Sequence, residues 1–167
     1  QGHVVAYPQL PDTDLPDLAA WLEVVGAEIE LLEEFDSSPL VVVAHSLGCL
    51  TWMHVALKEL LSQPAERVLL VAPADPDLCG EVSTFQLDLN DCRVREALGN
   101  ASQQTLLVAS DGDPWIPRGV QETFATPLGL TAVVIPGAGH IAVDDGWGPW
   151  QGVINWVNDS NADLSVR

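Results

Sequence analysis

Apolar residues along the chain fall into two alternating patterns. Short continuous runs bounded by turn residues occur at "HVVAY" (3–7), "PLVVVAH" (39–45), "RVLLVAP" (67–73), "QTLLVAS" (104–110) and "TAVVIP" (131–136). Runs of that length and β-branched content predict strands buried on both faces. Between them, apolar residues recur at helical spacing. Leu18, Trp21, Leu22, Val25, Ile29 and Leu32 share one face of a helix from about Leu15 to Phe35, with Glu23, Glu30, Glu33 and Glu34 lying off it. Leu47, Leu50, Met53 and Leu57 mark a second helix that runs to about Leu61. A short helix is expected near 118–126, and a last one near 150–158 packs Trp150, Val153, Ile154 and Val157. Strands separated by helices require right-handed crossovers, so the pattern predicts a doubly wound α/β domain, with a mostly parallel sheet and helices on both faces. The long irregular stretch Pro73–Asn90, rich in turn residues, is expected to form a small lid or cap loop.

One junction in this pattern leaves almost no room for a loop. In "VVVAHSLGCLTWMH" (41–54) a strand ends at a serine and a helix begins directly after it. Ser46 therefore sits on a very sharp, strained turn, a position that chains rarely adopt without a use for it. In an open parallel sheet, ligands bind beyond the carboxyl ends of the strands. Ser46 follows one strand, "SDGDPWIP" (110–117) another and "GAGHI" (137–141) a third. A serine, two acids and a histidine thus arrive at one edge from separate segments. They suffice for nucleophilic catalysis: an imidazole takes the hydroxyl proton, and a carboxylate fixes its tautomer and stabilises the imidazolium.

The order Ser, Asp, His and the turn around the serine resemble the α/β-hydrolase superfamily. "AHSLGCL", "SDGDPWIP" and "GAGHIAVDDGWGPW" are similar to the small serine hydrolases of the YdeN and retinoblastoma-binding-protein-nine group, over nearly the whole chain. The resemblance implies Ser46 as nucleophile, Asp113 as acid and His140 as base. Asp111 competes with Asp113. Asp111-Gly112 is a turn signal, whereas Pro114 biases Asp113 towards extended backbone and D-P-x-x-P is the family's acid pattern, which favours Asp113. The N–H of Leu47, at the start of the helix, is expected to serve as one oxyanion donor. Ala44 stands where the usual G-x-S-x-G has its first glycine, and Gly48 keeps the second small position. The implied activity is hydrolysis of small carboxylic esters through an acyl-enzyme. Amide or peptide cleavage by the same three residues, and a non-catalytic binding module on a hydrolase fold, are the alternatives.

Trp115, Ile116, Ile141 and Trp147 flank the acid and the base and are expected to line a substrate pocket. Trp150 reads as core, His3, His45 and His54 as packing or surface residues, and Asp144 and Asp145 as solvated loop charges. No histidine spacing matches a metal site, and neither metal nor cofactor is expected. The family resemblance further implies a strand and an oxyanion loop ahead of "HVVAY", with that strand lying between "HVVAY" and "VVVAH" in the sheet. The single domain spanning 1–167 is therefore expected to be incomplete at its amino end.

Composition narrows the setting. The chain has 167 residues, 47% of them hydrophobic, which is enough for one domain with a real core. A formal charge of −18, from six Lys plus Arg against 24 Asp plus Glu, argues against nucleic acid and anionic membrane surfaces as partners; the partner that the resemblance implies is a small-molecule ester. Cys49, Cys79 and Cys92 are too few and too irregular for a disulfide scaffold; a reducing cytoplasmic setting is expected, with a Cys79–Cys92 bridge the alternative. Lys58 is the only lysine, a balance shared by ordinary acidic proteins and by proteins that work in high salt. Carboxylate self-repulsion is screened by salt over a length falling from about 10 Å at 0.1 M to 3 Å at 1 M. A high-salt protein should therefore melt at a higher temperature in molar NaCl than in dilute buffer, and an unchanged melting temperature removes that setting.

Overall fold

A computed structural model describes residues 3–35 and 38–167. Helix α1 spans Leu18–Phe35, β1 Val41–His45, α2 Leu47–Leu57 and β2 Ala65–Val71. Two 3-10 turns, Pro76–Leu78 and Gly80–Phe85, precede α3 (Cys92–Ala101) and β3 (Ser102–Ser110). A π turn, Gln121–Ala125, runs into the short α4 (Thr126–Leu128), followed by β4 (Thr131–Ile135), a 3-10 turn at Val143–Asp145, and α5 (Gln151–Asn158).

The four described strands form a parallel sheet in the order β1-β2-β3-β4. Alternation along the inner strands assigns side chains to two cores. Val68 and Leu70 of β2, with Leu107 and Ala109 of β3, face a core shared with α1, α2, α3 and the 121–128 helix. Leu69, Val71 and Val108 face the opposite side, where Trp147, Trp156 of α5 and Leu164 cover them. Helices on both faces of a parallel sheet make this the α/β class that the sequence pattern predicts. Arg67 anchors α5 from β2: its guanidinium donates to the Trp156 and Val157 carbonyls at 2.7 and 3.0 Å, partnering groups that the last helical turn leaves unbonded.

The ends of the helices have local causes. Helix α1 starts three residues later than its periodicity suggests, because Asp17 after Pro16 accepts from the Ala20 N–H at 3.0 Å and so acts as the cap. Helix α2 stops at Leu57 rather than near Leu61, since Glu59 takes a left-handed φ of 53° and the Leu60 N–H turns back to the Val55 carbonyl. Helix α3 is an addition to the expected elements. Asp91 caps it through the Arg93 N–H, and Val94, Leu98 and Ala101 are its buried stripe.

"HVVAY" is not a strand. Residues 3–10 run without regular structure, and Val4, Val5 and Tyr7 are exposed. A strand needs a partner edge, and here a groove of about 540 Å³ separates Ala6, Tyr7 and Pro8 from β1, which is an edge of the sheet. The 73–90 stretch holds the two 3-10 turns and is fastened by Phe85, which is fully buried and meets Trp21 edge-on at 5.2 Å. All three cysteines are free. Among the described residues, no helix is long and apolar enough to cross a membrane.

Leu70 is completely buried between β1 and β3, whereas Val43 on the edge strand β1 is 45% exposed. Leu70→Ala should lower unfolding free energy by about 2–5 kcal/mol and Val43→Ala by no more than about 1 kcal/mol, read from denaturant midpoints at a common slope.

Candidate active site

Ser46 occupies the junction of β1 and α2 with φ 54° and ψ −124°, a conformation that costs a non-glycine residue about 1–3 kcal/mol. The turn is held in place by its surroundings. The Ser46 N–H donates to the Val71 carbonyl at 2.9 Å, continuing the β1–β2 ladder by one bond, and every residue of α2 from Cys49 to Met53 is buried. The Cys49 thiol sits beneath the turn, bonded to the Ala44 and Val71 carbonyls at 3.3 and 3.4 Å, and burial raises its pKa far above the ordinary range. Leu47 is the first residue of α2, so its N–H has no intrahelical acceptor. A Cβ on Gly48 would meet nothing within 4 Å, because Gly48 faces the groove beside β1.

The loops after β3 and β4 bring the other groups to the same end of the sheet. His140 Nε2 lies 2.8 Å from Ser46 Oγ. On the other side of the ring, His140 Nδ1 meets Asp113 Oδ1 and Oδ2 at 3.0 and 2.9 Å. A carboxylate accepts only, so Nδ1 carries the proton and Nε2 is left to accept from the Ser46 hydroxyl. The Asp113 side chain is fully buried, and its Oδ1 also accepts from the Trp115 N–H at 2.9 Å, which fixes the carboxylate plane. An imidazole so placed can withdraw a proton from the serine while a buried anion stabilises the charge it gains.

The two aspartates of "SDGDPW" separate cleanly. Asp111 Oδ1 accepts from the Gly137 N–H at 2.8 Å and reaches the backbone ahead of His140, whereas Asp113 reaches the ring itself. Of the four side chains expected to line a pocket, only Trp115 is open to solvent, with its ring centroid 6.2 Å from that of His140. Ile116 belongs to the core under α1 and α2, and Ile141 and Trp147 to the core under α5. Their flanking positions in sequence place them beside Asp113 and His140, but the strand ends turn their apolar side chains inward. Trp147 is tied down further by an Nε1 bond to the Ala138 carbonyl at 3.0 Å. The concave surface at Ser46 is instead the groove along β1, lined by Leu10, Trp21, Ile29, Leu32 and the β1 residues themselves. A groove that depends on the placement of α1 and residues 6–10 has no local sequence signal.

His45, read from the sequence as a packing or surface residue, and Asp145, read as a solvated loop charge, both touch the His140 segment. His45 Nε2 lies 2.9 Å from the His140 carbonyl oxygen, and Asp145 Oδ2 accepts from the His140 N–H at 2.8 Å. Asp145 is thus a bonded loop residue rather than a merely solvated charge. No group of three or more His, Cys, Asp or Glu side chains among the described residues is arranged to hold a metal ion.

A parallel sheet flanked by helices, with a serine on the turn between strand and helix and an acid and histidine on later loops, is the architecture of an α/β-hydrolase. The chain belongs to the serine hydrolase family, whose model matches residues 5–159. The ydeN gene product of B. subtilis superposes with a TM-score of 0.73 at 18% identity, covering 89% of this chain and 77% of that one. A Pectobacterium atrosepticum protein described as a yden-like hydrolase gives 0.64 at 24% identity, over 90% and 72%. The monoacylglycerol lipase of Paleococcus ferrophilus gives 0.55 at 14% identity, over 86% and 76%. No curated protein sequence matches.

His45 and His54 both have pKa values below the ordinary 6.5, in each case chiefly because desolvation penalises the imidazolium. Below about pH 6.5 the unfolded chain therefore binds more protons than the folded one, and stability rises with pH. This contribution is fully present above 6.5 and is lost as pH falls through the folded-state values. Melting temperature should accordingly drop between pH 7 and pH 5, and a flat profile over that window contradicts the assignment.

Proposed function

We propose that the chain is a serine hydrolase that cleaves small carboxylic esters through an acyl-enzyme, with Ser46 as nucleophile, His140 as general base and acid, and Asp113 as the residue that orients His140. The observation that carries this reading is the continuous hydrogen-bonded series from Ser46 Oγ through the His140 ring to the buried Asp113 carboxylate.

In the reaction so proposed, Ser46 Oγ attacks the ester carbonyl while His140 Nε2 takes the hydroxyl proton. The imidazolium is stabilised by Asp113, whose carboxylate stays ionised. The Leu47 N–H, at the start of α2, donates to the developing oxyanion. Collapse of the tetrahedral intermediate breaks the bond to the alcohol oxygen, which receives the proton from His140 Nε2. Water then attacks the Ser46 ester, giving its proton to His140, and a second collapse returns the proton to Ser46 Oγ and frees the acid. Esters are the natural substrates for such a site because an alkoxide leaves more readily than an amide nitrogen, which must be protonated before it departs. The substrate reaches Ser46 past Trp115 and the mouth of the groove beside β1.

A fluorophosphonate probe tests the reading, since it phosphonylates a serine only when a neighbouring base activates it. The native protein should label at Ser46 and Ser46→Ala should not; a folded native sample that fails to label would leave a non-catalytic binding module as the better description. Ser46→Ala and His140→Ala should each abolish nearly all ester turnover without unfolding the domain. The double variant should be little worse than either, because the two act as a unit. Asp113→Asn should cost far more turnover than Asp111→Asn. Parallel assays on ester and amide substrates with the same acyl group measure the leaving-group preference, and faster amide cleavage would replace the esterase reading by an amidase one.

A further inference from the structure

Two polar contacts beside His140 take no part in the proton transfers of ester cleavage. His45 immediately precedes Ser46, and its Nε2 lies 2.9 Å from the His140 carbonyl oxygen. A carbonyl only accepts, so His45 donates through Nε2–H. From the other side, Asp145 Oδ2 accepts from the His140 N–H at 2.8 Å and from the Ala142 N–H at 3.2 Å. The two peptide groups flanking the His140 Cα are therefore bonded by side chains from separate parts of the chain. In a helix or strand, neighbouring backbone would satisfy them.

The local backbone gives this bonding a purpose. Gly139 and Ile141 take φ values of 62° and 52°, so the chain reverses on both sides of His140. Positive φ costs Ile141 energy, and such a loop would relax if left unsupported. A Cβ on Gly139 would overlap the Asp145 carboxylate, which shows how closely that side chain is seated against the loop. Meanwhile the ring of His140 must meet Ser46 Oγ at 2.8 Å and the Asp113 carboxylate at 2.9 Å at the same time. With only two side-chain torsions to adjust, it can do so only if its Cα is fixed.

We infer that His45 and Asp145 are positioning residues for the proposed hydrolysis, clamping the N–H and C=O of His140 so that its ring bridges Ser46 and Asp113. The inference rests on that reading of the site. Because His45 and Ser46 are consecutive, the His45 bond couples the segment bearing the nucleophile directly to the loop bearing the base. The His45 and His140 ring centroids are 5.0 Å apart. Burial of the His45 ring holds its pKa below the ordinary value; the bond to the His140 carbonyl and the Asp113 and Asp145 carboxylates oppose this, and the neighbouring His140 ring adds to it, so that the neutral form is favoured. A neutral His45 keeps its Nε2 proton for the clamp and sets no positive charge against the imidazolium that forms on His140.

The test uses two pairs of variants in the full chain. His45→Phe keeps a ring and removes the donor, whereas His45→Gln places an amide N–H near the position of Nε2. Asp145→Ala removes the acceptor, whereas Asp145→Asn retains a neutral one. The measured quantities are the rate of fluorophosphonate inactivation at Ser46, ester kcat and KM, and the melting temperature. His45→Phe and Asp145→Ala should slow inactivation and kcat by about 10- to 100-fold with KM changed less than about threefold, since misplacement of a catalytic group by about 1 Å costs that order. His45→Gln and Asp145→Asn should each recover most of the loss. Wild-type rates in both truncations, or conservative variants as slow as the truncations, would overturn the clamp. If Asp145→Ala fails to melt cooperatively, the His45 pair decides. If native Ser46 is not labelled at all, it is the proposed hydrolase that fails. The clamp is then judged by the Nδ1–H proton resonance of His140, which should be lost in His45→Phe and restored in His45→Gln; its retention in His45→Phe overturns the inference.

Discussion

The hydrogen bond from the Ser46 N–H to the Val71 carbonyl, 2.9 Å long, is the contact on which the rest of the site depends. It extends the β1–β2 ladder past His45, the last paired residue of β1, into a residue that already has left-handed backbone. Without it the chain would relax from φ 54° into a wider turn, and the serine would leave the sheet edge. The strain of about 1–3 kcal/mol persists because the helix after the turn is over-determined. Cys49, Leu50 and Met53 are completely buried within its first two turns, so α2 cannot shift to relieve the strain without exposing apolar surface. At roughly 25 cal/mol per Å² of buried apolar area, those side chains outweigh the strain several times over.

The same logic places the functional groups at one end of the sheet. A parallel strand delivers its next residue to the carboxyl end, and the crossover helix carries the chain back to the other end before the next strand begins. β1, β3 and β4 therefore deposit their following residues at the same end of the sheet, and His140 reaches back across β2 to bridge them. A buried carboxylate such as Asp113 is costly to desolvate unless it is well bonded. Here the His140 ring and the Trp115 N–H supply donors to it. The overall charge of −18 makes this local pairing more necessary, because no surplus of cations is available to compensate a loose carboxylate.

Much of this arrangement is written locally and is legible in the sequence. β1, β2, β3 and β4 are continuous apolar runs, and the abrupt passage from "VVVAH" to "SLGCL" gives away the turn at Ser46. Asp113 separates from Asp111 through the Asp111-Gly112 turn signal, through Pro114, and through the D-P-x-x-P pattern of the family it resembles. Features that depend on partners are harder to read. "HVVAY" has the composition of a strand, yet no described strand edge pairs with it, and composition cannot report the absence of a partner. Helix α3 was available from the Asp91 cap and the spacing of Val94, Leu98 and Ala101, but its mean character is polar and it lies next to a long irregular stretch. Ile116, Ile141 and Trp147 show the opposite limit: adjacency to a site residue along the chain does not decide which way a side chain points. His45 and Asp145 are invisible for a related reason, since both act on backbone groups, which every residue possesses.

Asp111 and Ser110 show how the loops after two strands become one body. Ser110 Oγ accepts from the Gly112 N–H at 3.2 Å within its own loop and from the Ala138 N–H at 2.9 Å in the next. Asp111 Oδ1 adds the Gly137 N–H at 2.8 Å. Regular β3–β4 pairing ends at Ser110 and Ile135, so these bonds continue the association of the two strands beyond the point where backbone geometry permits a ladder. The side-chain oxygens take the place of carbonyls that the turning chain has carried away. Asp113 and His140 then lie only a few residues beyond the last such bond on each side, which leaves little slack between the acid and the imidazole. A hydrogen bond to a buried carboxylate gains its value from being preorganised. Ser110 and Asp111, which contribute no atom to the proposed acyl transfer, are what hold the two loops at that distance.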